Sequence, residues 1–217
     1  MTNKIIAEIK YKSPSHPNGF WGGGKDPLTL RQRVRQYEQG GACMISVPTQ
    51  EELFGTSLKT LRKVVRLTHL PVLRKEFIST ADDVIETKQH GATHQLLSAS
   101  LGDLREMLLG CSSLGVNPIV ECTNDAQIIT AMRNGCNYIG VNNRTLSTQE
   151  IDLKRCQRLS HYIPEHYTFI AESGFMKPDD IYQTAINSRR QPDMYLIGTA
   201  LMQTRHPKWL LQHFCDA

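Results

Sequence analysis

The chain has 217 residues, a formal charge of +4, 40% hydrophobic residues and 21% charged residues. These are the proportions of a soluble globular protein long enough to bury a sizeable core. The mild positive charge carries no long Lys/Arg block, so nucleic acid is not implied, and no apolar stretch could span a bilayer.

In chain order, the first apolar run covers residues 5–10 and ends at Glu8 and Lys10. The pattern then recurs. Met44-Ile45-Ser46-Val47 leads to Thr49, and Pro71-Val72-Leu73 to Arg74-Lys75. Gln95-Leu96-Leu97 ends at Ser98, and Pro118-Ile119-Val120 at Glu121. Tyr138-Ile139-Gly140-Val141 ends at Asn142, Asn143 and Arg144. Phe169-Ile170-Ala171 ends at Glu172 and Ser173, and Tyr195-Leu196-Ile197 at Gly198 and Thr199. Eight such runs, each long enough for a buried strand, carry polar groups at the same end.

Between them, helical periodicity is expected over 28–39, 57–66, 81–90, 101–114 and 125–134. Several of these segments stop at glycine (Gly40-Gly41, Gly91, Gly115, Gly135), which suits a left-handed C-cap, and Ser79-Thr80-Ala81-Asp82 and Asn124 supply capping residues at helix starts. Strand and helix alternate without a linker, the pattern of βα units. Eight units predict one (β/α)8 barrel over residues 1–217, lean beside the ~250 residues typical of that fold. An open doubly wound sheet is the alternative.

Six cysteines form no CxxC pair, and Cys43 and Cys122 lie in apolar runs, so reduced thiols in a cytoplasmic protein are expected. The first strand is expected almost at once, so no signal peptide is expected. Without secretion, the sequon at Asn143-Arg144-Thr145 has no meaning. Gly22-Gly23-Gly24-Lys25 lacks the hydroxyl residue and glycine spacing of a phosphate loop and suits a mobile flap. His90 and His94 are separated by Gly91, a helix end, which argues against a metal pair.

In a barrel, the strand C-termini share one rim. Lys10 and Lys75 would then meet Glu8, Glu121 and Glu172 in a partly dry cavity, each perturbing the others' proton affinity. Any one of them could be a structural ion pair; five on one rim point to chemistry. Glycine and small hydroxyl residues after the last two strands, Glu172-Ser173-Gly174 and Ile197-Gly198-Thr199-Ala200, suit a phosphate, with Lys10 and Arg144 supplying positive charge.

Taken together, the motifs resemble one family. Ala7-Glu8-Ile9-Lys10-Tyr11-Lys12-Ser13-Pro14-Ser15 and Pro71-Val72-Leu73-Arg74-Lys75-Glu76-Phe77-Ile78 resemble indole-3-glycerol phosphate synthases, (β/α)8 barrels of tryptophan biosynthesis. The likeness continues through Ile119-Val120-Glu121, residues 139–146, Ala171-Glu172-Ser173-Gly174 and residues 197–202. It implies a lyase that closes the indole ring of 1-(2-carboxyphenylamino)-1-deoxyribulose 5-phosphate, losing carbon dioxide and water, with no metal or cofactor.

By that resemblance, Lys75 is the acid of ring closure, and Glu121 and Lys10 share the dehydration. Glu8, Asn142, Glu172 and Ser173 orient substrate and catalytic groups. Gly174, Gly198, Thr199 and Lys10 hold the phosphate; Ser13 and Arg144 also bind substrate; Phe54, Phe77 and Leu146 surround the aromatic ring, where packing is the plainer alternative.

Three departures accompany the match. The family's segment ahead of the first strand is lacking, the first loop is long, and Ser98, Ser100, Pro48 and Gln50 replace usual residues. These departures suggest a divergent paralogue with an altered ring pocket and lid. Phe20 and Trp21 are expected to fold over the mouth on a hinge at glycines 22 to 24. The competing function is a non-catalytic sugar-phosphate-binding partner or regulatory paralogue, and an isomerase using the same phosphate site is a weaker third. The expected partner is a sugar-phosphate small molecule, not nucleic acid or membrane; a homo-oligomer or a partner protein is left open.

Overall fold

Side chains along each strand alternate between two buried surroundings, and that alternation sets the architecture. The computed structural model describes residues 2–22, 25–145 and 147–217. The strands are β1 (Lys4–Glu8), β2 (Ala42–Pro48), β3 (Val72–Lys75), β4 (His94–Ser98), β5 (Asn117–Cys122), β6 (Tyr138–Asn142), β7 (Thr168–Glu172) and β8 (Met194–Ile197). Each pairs in parallel with the next, and β8 pairs with β1 to close a barrel. Closure decides against the open sheet.

Ile6, Met44, Leu73, Leu96, Ile119, Ile170 and Leu196 form a cluster of their own. With a side-chain period of two, the same inner face continues as Glu8, Ser46, Lys75, Ser98, Glu121, Glu172 and Gly198, one layer nearer the strand C-termini. The apolar layer fills the barrel; the polar layer lines its mouth. Residues of the opposite parity, among them Ile5, Ile45, Val120, Phe169 and Ile197, join the larger core beneath the helices. Burial on both faces explains why these strands read as unbroken apolar runs.

The helices are α1 (Leu30–Gln39), α2 (Glu51–Phe54), α3 (Leu58–Leu67), α4 (Ala81–Gln89), α5 (Leu104–Leu114), α6 (Asp125–Arg133), α7 (Lys154–Leu159), α8 (Pro178–Asn187), α9 (Thr199–Met202) and α10 (Pro207–Cys215). Of the expected segments, α1 and α5 begin at Leu30 and Leu104, later than 28 and 101, because the cap lies inside the periodic segment. Thr29 and Gln32 form a capping box on α1, and the Asp103 side chain accepts the Glu106 N–H on α5. Thr80 and Asn124 cap α4 and α6 as their sequence positions suggest. No described helix is long and apolar enough to cross a membrane.

The seam between the first and last units is held closely. Asn3 donates from its backbone to Cys215 O at 2.8 Å and from its side chain to Ala217 O at 2.7 Å. Gly40 lets α10 approach α1: a β-carbon there would stand 2.8 Å from that of Leu211 and 3.0 Å from Lys208 O.

One buried polar network has no signal in the sequence. Arg74 and Gln95 have the outward parity and meet α4 instead of the mouth. Arg74 donates to Asp83 O and Thr87 Oγ1 (both 3.1 Å) and to Glu86 Oε2 (2.7 Å), and Thr87 donates to Gln95 Oε1 at 2.5 Å. Thr49 belongs here too, accepting from Arg74 Nε at 3.2 Å and donating to Glu76 Oε2 at 2.8 Å.

Candidate active site

Two lysine–carboxylate pairs dominate the mouth. Beyond β1, Lys10 Nζ lies 2.7 Å from Glu8 Oε1; at the end of β3, Lys75 Nζ lies 3.8 Å from Glu121 Oε2. The first is a tight charge-assisted hydrogen bond; the second is too long for one. Glu121 Oε2 is buried without a hydrogen-bond partner, so the Lys75–Glu121 pair keeps capacity for a ligand.

Burial and charge act in opposition here. Burial pushes Glu8 up, but Lys10, Lys75 and Arg144 outweigh it and leave its carboxyl below the ordinary value. Burial pushes Lys75 down, yet Glu121, Glu8 and Glu172 raise it above the ordinary lysine value. Glu172 goes the other way: burial first, then the neighbouring Glu121 carboxylate, raise it to about 8. At neutral pH Glu172 therefore holds a proton while Lys75 is charged. Arg144 is lowered by burial, with Glu8 opposing.

Glycine makes room for two of these carboxylates. A β-carbon on Gly140 would collide with Glu172 Oε1, and one on Gly198 would come 2.5 Å from Glu8 Oε1. Ser173 adopts φ 69°, which is costly for a residue with a side chain, and Asn143 braces it by donating to Ser173 O at 3.1 Å. Asn142 Oδ1 accepts the Arg144 N–H at 2.9 Å and so shapes the turn leaving β6.

A cavity of about 280 Å³ gathers most of the expected site residues. Glu8, Lys10, Lys75, Asn142 and Ser173 line it, with Ser13, Phe54, Phe77, Arg144, Gly174, Gly198 and Thr199. Glu121 lines an adjoining cavity, and Glu172 is fully buried. Leu146 lies outside the described residues. Thr49, at the end of the second apolar run, does not line the cavity and joins the network under α4, and Ser46 is fully buried.

The first loop differs from expectation. Phe20 and Trp21 do not line the mouth; they line a separate cavity with Tyr11, Lys25, Asp26 and Met202, and Phe20 packs on the core. Apolar burial behind the loop wins over exposure above a wet opening. Of the expected hinge, Gly22 has φ 61°, and Gly23 and Gly24 lie outside the described residues. The loop presents His16 to the mouth instead. His16 stands 5.2 Å from the Phe20 ring, centroid to centroid, with its Nε2 3.2 Å from Gln203 Nε2. The sequence singles out neither His16 nor Gln203, since an isolated His and Gln carry no spacing signal.

Asp26 anchors this loop from below. It accepts from Arg33 Nε at 2.8 Å and Nη2 at 2.6 Å, while Arg33 Nη1 donates to Leu201 O at 2.9 Å. Arg33 is 1% exposed.

The fold is a (β/α)8 barrel whose strand C-termini gather two lysine–carboxylate pairs, Lys10–Glu8 and Lys75–Glu121, in one mouth. The chain belongs to the indole-3-glycerol phosphate synthase family, whose model matches residues 1–213. It is 36% identical over 208 residues to "Indole-3-glycerol phosphate synthase 1" of Streptomyces coelicolor, covering 94% of this chain and 74% of that protein. It is 34% identical over 219 residues to "Indole-3-glycerol phosphate synthase" of Thermococcus kodakarensis, covering 99% and 92%. Among solved structures, "Thiamine phosphate pyrophosphorylase" from Pyrococcus furiosus superposes with a TM-score of 0.67 at 11% identity, covering 98% of this chain and 94% of that one. That likeness concerns the barrel alone.

Proposed function

We propose that Lys75, Glu121 and Lys10 carry out on this rim the reaction of the family. The protein is a carboxy-lyase of the indole-3-glycerol phosphate synthase type, acting on an anthranilate-derived sugar phosphate, 1-(2-carboxyphenylamino)-1-deoxyribulose 5-phosphate. The observation that carries the assignment of roles is the loose Lys75–Glu121 pair, 3.8 Å apart, beside the tight Lys10–Glu8 pair in one mouth.

Lys75, held protonated by surrounding carboxylates, gives its proton to the ketone oxygen as the aromatic carbon attacks the carbonyl carbon. Carbon dioxide leaves from that ring carbon, and its bonding electrons restore the aromatic system. The new hydroxyl then departs as water, one of Glu121 and Lys10 removing a proton and the other protonating the leaving oxygen. Glu8 restrains Lys10, and Asn142, Glu172 and Ser173 orient the reacting groups. Lys10, Ser13, Gly174, Gly198 and Thr199 hold the phosphate, with Arg144 adding charge, and Phe54 and Phe77 flank the ring. The cytoplasm is the compartment this reading implies.

Purified protein incubated with the substrate should yield a fluorescent indole product. Lys75→Ala should lower kcat by about 100-fold or more, the size of a lost general acid. A wild-type protein inert at high enzyme concentration would remove the reading.

A further inference from the structure

The mouth of the barrel holds two cavities, and the second is unlike the first. About 310 Å³ in volume, it opens among the ends of β4, β5 and β6. Ser98, Ser100, Glu121, Thr123, Gln127 and Arg155 line it, and among the described residues its lining is wholly polar. Ser98 stands opposite Glu121 in the strand register and is 5% exposed. Its hydroxyl lies 2.8 Å from that of Ser100, while Arg155 is fixed by 2.7 Å hydrogen bonds to Asn142 O and Thr145 Oγ1. Glu121 Oε2 is buried and has no hydrogen-bond partner.

Lys75 lines the first cavity and Glu121 the second, and their charged atoms are 3.8 Å apart. An aromatic ring held in the first cavity beside Phe77 and Lys75 would then present its edge toward the polar side. We propose that the second cavity is a subsite for a hydroxyl group on that ring, so that a hydroxylated anthranilate-derived sugar phosphate is the preferred substrate. The inference rests on the lyase reading above.

The chemistry of the lining selects this class of substituent. A hydroxyl both donates and accepts, which matches the Glu121 carboxylate on one side and the Ser98–Ser100 hydroxyls on the other. Glu121 and Arg155 line the same cavity, so their opposite charges favour a neutral group that can both donate and accept over a lone anion or cation. A methyl group would displace water from these polar side chains and return no hydrogen bond, which is the source of selectivity in a hydrogen-bonding site. Because Ser98 already pairs with Ser100 and Thr123 with Gln127, the discrimination should be about tenfold to a hundredfold, below that of a site with stranded groups.

Steady-state kinetics on purified protein should compare the unsubstituted substrate with its ring-hydroxylated and ring-methylated counterparts. The hydroxylated compound should have a kcat/KM at least about tenfold above both others. Ser98→Ala and Thr123→Val should each reduce kcat/KM for the hydroxylated compound by more than for the unsubstituted one. Turnover of all three without preference, or with the unsubstituted compound favoured, overturns the subsite and leaves the lyase reading standing. So does an equal loss on both substrates in the two variants, which would mean that the cavity only holds water or supports Glu121. Turnover of none overturns both.

Discussion

Gly140 faces Glu172 so closely that a β-carbon on Gly140 would occupy the position of the carboxylate. The acid therefore depends on a bare backbone across the β6–β7 boundary. Gly140→Ala should push Glu172 out of place, lowering kcat by about tenfold or more while costing about 1–3 kcal/mol through overpacking. Turnover and thermal unfolding of the variant check this; wild-type kinetics would separate Glu172 from the reaction.

Glu172 should impose an alkaline limit on activity. It is protonated at neutral pH because burial and Glu121 raise it to about 8. Ionising it adds a charge beside Glu121, whereas Lys75, itself raised, loses its proton at higher pH. The kcat/KM profile should fall as pH passes about 8, and the limb should be absent in Glu172→Gln.

The same residue links pH to stability. Its folded value lies above the unfolded one, so the folded state binds more protons between roughly pH 4.5 and 8. Stability is full below that window and is lost across it as pH rises. Glu172→Gln should accordingly be more stable than the wild type at pH 8, by about 1–3 kcal/mol, though impaired in turnover. Denaturant midpoints at pH 5 and pH 8 measure the effect; a gap that does not widen with pH would contradict the assignment.

Arg33→Ala removes the partner of Asp26, whose side chain is 8% exposed, and frees Leu201 O in α9. Losing one member of a buried ion pair costs about 3–5 kcal/mol. The variant should unfold at lower temperature, and its KM should rise because the loop carrying Ser13 and His16 loosens. An unchanged KM would show that the loop does not depend on this anchor.

The barrel was legible because each strand announces itself as an apolar run with a polar terminus, and because caps such as Thr80 and Asn124 are local chemistry. The rim charges Glu8, Lys75 and Glu121 followed from the same termini. Parity was harder to read: Arg74 and Lys75 are adjacent in sequence, yet Lys75 reaches the mouth and Arg74 packs under α4. Phe20 and Trp21 lie in a long loop with no period, so nothing local could tell a lid from a buried flank. The division of the mouth into two cavities depends on Ser98, Glu121 and Arg155 converging from three separate units, a tertiary fact without a local signature.

The two stacked inner layers separate what holds the barrel closed from what it accepts. Leu96 and Ile119 lie in the apolar layer, and two positions further on Ser98 and Glu121 face the opening. Exchanging a side chain in the upper layer leaves the lower one intact, so the lining that the proposed subsite takes from Ser98 can change with little effect on foldability. A gene duplicated from such an enzyme could acquire a new aromatic preference by single steps, each yielding a folded protein.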